Sequence, residues 1–429
     1  MTNKYFESCA IIRQSKDKIF HLRQSSFARN AAWFLLLNLL SRGVGFFAVA
    51  FAMRCLGPVN VGISALIQTT AQQVALAFNP GFDTIAIRKI AADHGNANAV
   101  TKTVVTFRLA LAVIASLIWV IGCYFVAPKT QFLPWLIGVP IMITGAGSIV
   151  FVFSGLEKLP IQSAIGTGGV LLAAIAYFAF FHPNMFLGAD LIVVAIVGLG
   201  TMVVSWLFYH RMLGFWPVGL VTVQQLRLLL HESWRYWLLA VIVFFYSTFQ
   251  FPLIAYLLGT HELGIFRAAF GLAAGVELLF NSINSLLLPR LVNWKKMGLD
   301  FMWHRQSKLL LVFLMIGLPV VVILIFLAPT IYTLFLGEAF KKGVLVFQIL
   351  VVGRLVVFLG QIYAFGLVAV GQDNHFLGAS LLGASASITL NLLLIPKYGL
   401  LGAAYVSVAS EIIVHTYCYL VVRAKVKSA

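Results

Sequence analysis

Five ionisable side chains stand inside runs that are otherwise apolar: Arg42, Glu277, Arg354, Glu411 and His415. A charge held in hydrocarbon costs about 3 kcal/mol even on conservative insertion scales, so such residues face a protein interior or a water-filled path. Glu277, Arg354 and Glu411 fall at similar depth along their runs, and His415 lies one helical turn from Glu411 on the same face. One Arg neutralises only one of the two carboxylates. The other is free to take up a proton or bind a cation, which makes Glu277, Glu411 and His415 the candidate ion-coupling set; a static structural cluster is the competing explanation. Arg42 differs, because the first half of the chain offers no carboxylate at its depth. Water and an anionic ligand would offset its cost, and a guanidinium suits phosphate. Snorkelling or bonding to carbonyls competes with that reading.

Neutral polar residues share faces with these charges. Asn38 precedes Arg42 by one turn; Gln68, Gln72, Asn79 and Asp83 form a second stripe, and Glu277, Asn281 and Asn284 a third. Each stripe alone is accounted for by hydrogen bonds between helices. Taken together, they nominate Asn38, Arg42, Gln72, Asn79, Asn281 and Arg354 as substrate-binding residues. No Gly-rich nucleotide loop followed by Lys and no metal-like His/Cys spacing occurs in the sequence, so no catalytic residue, metal or cofactor is expected.

The elements that must position these groups follow from composition. Of 429 residues, 61% are hydrophobic and 10% charged, and the mean hydropathy is +0.98. A soluble domain carries about 25% charged residues, whereas a bilayer-spanning helix needs a run of about 20 apolar ones. Twelve such runs are legible, the first near 32–53, the second near 61–87 and the last near 400–422. The expected fold is all-α, a polytopic integral membrane protein of about twelve transmembrane helices in two six-helix lobes. Residues 1–30 form a basic N-terminal segment, 31–210 the N-lobe, 211–232 an inter-lobe linker, 233–423 the C-lobe and 424–429 a short tail. The first segment is too mixed for a cleavable signal and its basic residues suit anionic headgroups.

Charge placement sets orientation. With the N-terminus inside, 22 Lys and Arg fall on the inner side and five (Arg54, Lys129, Lys341, Lys342, Lys397) on the outer. This asymmetry predicts cytoplasmic termini, and it explains the net charge of +17 without nucleic acid. The inner count includes Arg88, Lys102 and Arg108, read as cytoplasmic. Arg267, one turn from the outer surface, reads as a snorkelling side chain.

The phrase LGPVNVGI at 56–63 returns as LGTHELGI at 258–265, an offset of 202. Gly57 and Gly259 end an apolar run where a left-handed residue is often needed. Asn60 and Thr260 read as N-caps, and Gly62 and Gly264 allow close backbone approach. At the same offset Asn79 falls on Asn281 and Arg88 on Arg290. FLGAD at 186–190 and LLGAA at 400–404 give a second echo, each leading into the last run of its half. Six runs separate the copies, so both halves cross the membrane in the same sense. Such a parallel repeat places a cleft between two bundles, where a transporter binds its substrate.

SRGVGFFAVAFAMRCLGPVNVG resembles the first span and turn of polysaccharide-unit flippases of the multidrug/oligosaccharidyl-lipid/polysaccharide exporter superfamily; the residues concerned are Arg42, Arg54, Leu56, Gly57, Pro58 and Gly62. IPKYGLLGAAYVSVASE, residues 395–411, is similar to that family's turn before its last span. The resemblance implies a V-shaped cavity and outward movement of an undecaprenyl-diphosphate-linked glycan across a bacterial inner membrane. Cationic cavity residues would meet the diphosphate. It also implies membrane lipids, a polysaccharide polymerase and a chain-length regulator as partners. Arg42, in place of the acidic residue typical of drug exporters, favours the O-antigen or common-antigen type. A multidrug/cation antiporter of the same fold, a solute symporter of the major facilitator type and a non-transporting scaffold of a polysaccharide assembly complex are the competing readings.

Overall fold

The computed structural model describes residues 41–79, 81–284 and 287–427. Asn38 and the basic segment 1–30 lie outside the described residues. The described chain is helical throughout, because in a bilayer every backbone N–H and C=O must be paired within its own segment.

A continuous helical stretch, Ser41–Ala77, is divided at Gly57 (φ 74°) into α1 (41–56) and α2 (58–77). There follow α3 (Phe82–Ala92), α4 (Ala97–Val126), and three short segments forming one crossing: α5 (Phe132–Leu136), α6 (Gly138–Ala146) and α7 (Val150–Gly155). The N-lobe ends with α8 (Leu159–Phe180) and α9 (Ala189–Leu213). In the C-lobe come α10 (Val223–Thr248), α11 (Gln250–Leu258), α12 (Thr260–Asn284), α13 (Leu287–Lys296), α14 (Leu299–Ile331) and α15 (Gly343–Val370). The last stretch, Asp373–Lys427, is broken at Gly399 (φ 59°, ψ −135°) into α16 (373–398) and α17 (400–427). Among the described residues nine helices are long and apolar enough to cross a membrane. Dividing two of them at Gly57 and Gly399, and adding α12 with its charges Glu262, Arg267 and Glu277, gives the twelve crossings of the sequence.

The expected left-handed positions hold at Gly57 and Gly259 (φ 89°), where a Cβ would be strained. The expected caps do not. Asn60 Nδ2 donates to Met185 O at 3.3 Å, and the first turn of α12 is bonded through the Gly259 carbonyl to Leu263 N, with Thr260 already helical. The second echo is also inexact: Gly188 has φ 87°, while in the other half the left-handed residue is Gly399 and not Gly402.

Large apolar side chains cover the outside. Leu117, Ile121, Ile175, Ile196 and Phe326 are each more than half exposed, a lipid-facing surface that water would not tolerate. Inside the C-lobe, Phe280 and Phe313 both stack on Phe358, at 4.2 and 4.4 Å.

Candidate substrate cavity and charge clusters

Between the lobes lies a cavity of about 460 Å³ whose wall is apolar except for Arg42 from α1 and Arg267 from α12, with Phe46, Tyr177, Gly271 and Gly275 among its lining. Arg42 also borders a second cavity of about 410 Å³, lined by Phe46, Phe47, Leu272, Val320, Leu324 and Phe335. It therefore stands where the central space meets an apolar groove. Its side chain is exposed and forms no ion pair among the described residues.

Arg267 does not snorkel as its position in the sequence suggested. Its guanidinium borders the central cavity, lies 5.9 Å from the Phe251 ring and interacts with the Asp190 carboxylate. Asp190, in the first turn of α9, accepts a hydrogen bond from Ser64 Oγ of α2 at 2.7 Å. A carboxylate is favourable there because the N-terminal turn of a helix carries partial positive charge. Arg267 and Asp190 belong to different lobes, and their attraction acts across the interface at more than ion-pair distance.

Beside them the two copies of the repeated phrase meet. A Cβ on Gly62 would overlap the Thr260 carbonyl and come within 2.9 Å of Gly264 N, and one on Gly264 would overlap the Pro58 carbonyl and come within 3.0 Å of Gly62 N. The contact is reciprocal, as a two-fold relation between the halves requires. It joins the two lobes by backbone contact.

In the C-lobe, Arg354 Nη1 is 2.8 Å from Glu277 Oε2, and the guanidinium sits 5.0 Å from the Phe270 ring. His415 Nε2 approaches Glu411 Oε2 at 3.5 Å without hydrogen-bond geometry. Arg354 and Glu411 line one cavity of about 60 Å³ with Tyr246, Gln250, Ser387 and Ser407. Ser407 Oγ donates to Gln250 Oε1 at 2.9 Å. Gly360 makes room for His415, whose ring would overlap a Cβ there. The four residues singled out in this half thus form two pairs, each with one member, Arg354 or Glu411, on this small space.

The N-lobe holds Gln72 and Asn79 on a cavity of about 500 Å³, with Arg108 and Thr144. Arg108 is not in a cytoplasmic loop as the sequence suggested. It is inside α4, 5% exposed, bonded through Nη1 to Asp83 at 2.7 Å and through Nη2 to the Gly145 carbonyl at 2.9 Å. The second run is also not one helix. It stops at Ala77, turns through Gly81 (φ 64°) and restarts as α3, which brings Asp83 to Arg108. Asn281 is in α12. Sequence reasoning missed Arg108, Arg267 and Asp190 as interior charges. Asn-Pro-Gly at 79–81 was the signal available for the break, and the matching depth of Asp190 and Arg267 was the signal for their pairing. Among the described residues no group of three or more His, Cys, Asp or Glu could hold a metal.

Residues 27–295, well over half the chain, match the polysaccharide biosynthesis protein family. The chain belongs to this family. Over 159 residues it is 30% identical to the capsular polysaccharide biosynthesis protein CapF of Staphylococcus aureus, a match spanning 37% of this chain and 40% of that one. In fold it is similar to the lipid II flippase MurJ in an inward closed conformation, with a TM-score of 0.76 and 12% identity over 91% of this chain and 87% of that one. An inward-facing multidrug resistance MATE transporter of the MOP superfamily gives 0.68 at 14% identity, covering 90% and 95%; an outward-facing one gives 0.55 at 14%, covering 92% and 96%. The family and the two-lobed superfamily fold agree with the resemblance carried by Arg42, Arg54 and the Leu56–Gly57–Pro58 turn. This member of the polysaccharide biosynthesis protein family is a multi-pass membrane protein that shares its fold with these solved structures.

Proposed function

We propose that the protein is a flippase that carries a polyprenyl-diphosphate-linked oligosaccharide from the cytoplasmic to the periplasmic leaflet of a bacterial inner membrane by alternating access. The observation that carries this reading is the position of Arg42. It borders both a central cavity that also holds Arg267 and an apolar groove of about 410 Å³. A diphosphate is served by the first and a polyprenyl chain by the second, and the junction between them is what an amphiphile with both parts needs. The multidrug antiporter reading is disfavoured by sign, since the two charged residues on this cavity are both cationic. A scaffold would gain nothing from unpaired charge beside a cavity.

The basic ends of the helices face the cytoplasm in this reading. Contact between Gly62 and Gly264 then lies on the periplasmic side, and the state described faces inward. The greater likeness to inward-facing than to outward-facing relatives supports it. Glu277, Glu411 and His415 serve as the coupling site, loading a proton or cation in one orientation and releasing it in the other. A strain lacking the protein tests the reading. It should accumulate sugar-linked polyprenyl diphosphate, whose glycan would be the O-antigen or a similar repeat unit. A lipid fraction identical to that of the parent would refute it.

A further inference from the structure

Two spaces of several hundred cubic ångströms border the N-lobe: one of about 500 Å³ bounded by Gln72, Asn79 and Arg108 together with Phe244 of α10, and another of about 580 Å³ bounded by Ser148, Gln162, Thr201 and Ser205. They share Thr144, Gly145 and Gly198 as walls, and the second shares Val170, Ala173 and Val194 with the central cavity of Arg42 and Arg267. The polar cavity of the C-lobe, by contrast, is about 60 Å³. Each N-lobe space falls in the range of small-ligand sites, about 300–1,000 Å³.

Their chemistry is unusual for a membrane interior. Amides and hydroxyls supply the polarity, and Arg108, the one ionisable residue among the lining groups, is already neutralised by Asp83 at 2.7 Å. Two buried polar atoms bordering the first space find no partner among the described residues. One is a donor, Arg108 Nε, and the other an acceptor, Asn79 Oδ1. A buried polar group left unpaired costs about 1–3 kcal/mol, and an apolar residue of similar shape at position 79 would avoid that cost. A hydroxyl both accepts and donates, so sugar hydroxyls would suit either atom once its side chain turns toward the space.

We infer that the N-lobe chamber receives the sugar head of the lipid-linked substrate, and that the sugars entering it are uncharged. This rests on the flippase reading, with the diphosphate at Arg42 and Arg267. A neutral, hydroxyl-rich glycan matches amide and hydroxyl walls. A uronic acid would bring a second negative charge to a guanidinium that Asp83 already holds. Cargo and coupling charges then fall to different halves: one lobe takes the sugar head, and the other carries the Glu277–Arg354 and Glu411–His415 pairs.

Three probes separate the parts: farnesyl diphosphate, farnesyl-diphospho-N-acetylglucosamine and farnesyl-diphospho-glucuronic acid, each titrated against the purified full-length protein. The wild type should bind the N-acetylglucosamine probe at least tenfold more tightly than farnesyl diphosphate, and the glucuronic acid probe no more tightly than farnesyl diphosphate. Asn79→Leu and Thr144→Val should each abolish most of the tenfold preference, with farnesyl diphosphate affinity unchanged and no loss of melting temperature. Equal binding of the first two probes by the wild type, or a preference retained in both variants, overturns the chamber while the flippase reading stands on farnesyl diphosphate binding. Preferential binding of the glucuronic acid probe overturns the claim of neutrality. Binding of none of the three overturns the flippase reading and the chamber with it.

Discussion

Gly62 of one half and Gly264 of the other lie against each other with no room for a side chain on either, each beside a carbonyl of the partner segment, Thr260 and Pro58. This is why the chain writes the same phrase twice. A two-fold relation brings equivalent positions together near its axis, and a backbone-to-backbone contact there admits only glycine at both. The contact joins the lobes at one end and leaves the central cavity to open elsewhere.

Gly62→Ala or Gly264→Ala should therefore wedge this end apart. Overpacking of a close contact costs about 1–3 kcal/mol, which corresponds to a five- to 150-fold shift between two conformations. Spin labels at Val59 and His261, both on exposed positions flanking the contact, should report a longer distance population in either variant. An unchanged distance distribution would mean that the contact does not set the closed state.

Asp83→Asn should lower thermal stability. Arg108 is 5% exposed and would keep its charge with only the Gly145 carbonyl as partner. Breaking a fully buried pair costs 3–5 kcal/mol; Asp83 is half exposed, so about 1–3 kcal/mol is expected once solvent screening is discounted. Arg108→Met with Asp83→Asn should recover part of the loss, because the double change leaves no unpaired charge. Melting curves of the wild type and the two variants in detergent decide this, and a single variant as stable as the wild type would contradict it.

Arg42→Ala should abolish surface polysaccharide at normal protein level, and Arg42→Lys should retain part of it. Lysine keeps the charge but not the planar pair of donors suited to phosphate. Quantified polysaccharide together with an immunoblot makes the comparison. Full output from the Ala variant would remove Arg42 from the site.

Glu411→Gln keeps shape and hydrogen bonding but cannot cycle a charge. Transport by this variant should lose its dependence on a proton or sodium gradient while the protein still folds. Glu277→Gln should in addition loosen Arg354, whose carboxylate partner is 2.8 Å away. If both variants transport with gradient dependence intact, the two pairs in the C-lobe are structural.

What the sequence made legible follows from what a bilayer imposes. Helices were readable because hydrocarbon forbids unpaired backbone, and the repeated turn because Gly57 and Gly259 need positive φ in both halves. The Arg354–Glu277 and Glu411–His415 pairs were readable as charges at matching depth in one half. Interior charges contributed by different segments were not. Arg108 followed a basic stretch and looked like its continuation. Only the turn after Ala77, signalled by Asn-Pro-Gly at 79–81, carries Asp83 to it. Arg267 could be recognised as a cavity residue only once Asp190 and Ser64 were brought to it from the other lobe. Cavity volume was not legible at all, since the polar stripes of the two lobes read alike and do not show how the helices pack around them.

Translocation itself is the central claim, and reconstitution measures it most directly. Full-length protein is placed in proteoliposomes containing a polyprenyl diphosphate that bears a short neutral glycan with a fluorescent tag, and an impermeant reductant is added outside. The account predicts that the protein makes inner-leaflet lipid accessible, so that quenching proceeds beyond the outer-leaflet fraction, and that Arg42→Ala returns it to the protein-free level. Quenching that stops at the outer-leaflet fraction with wild-type protein in sealed vesicles would contradict it.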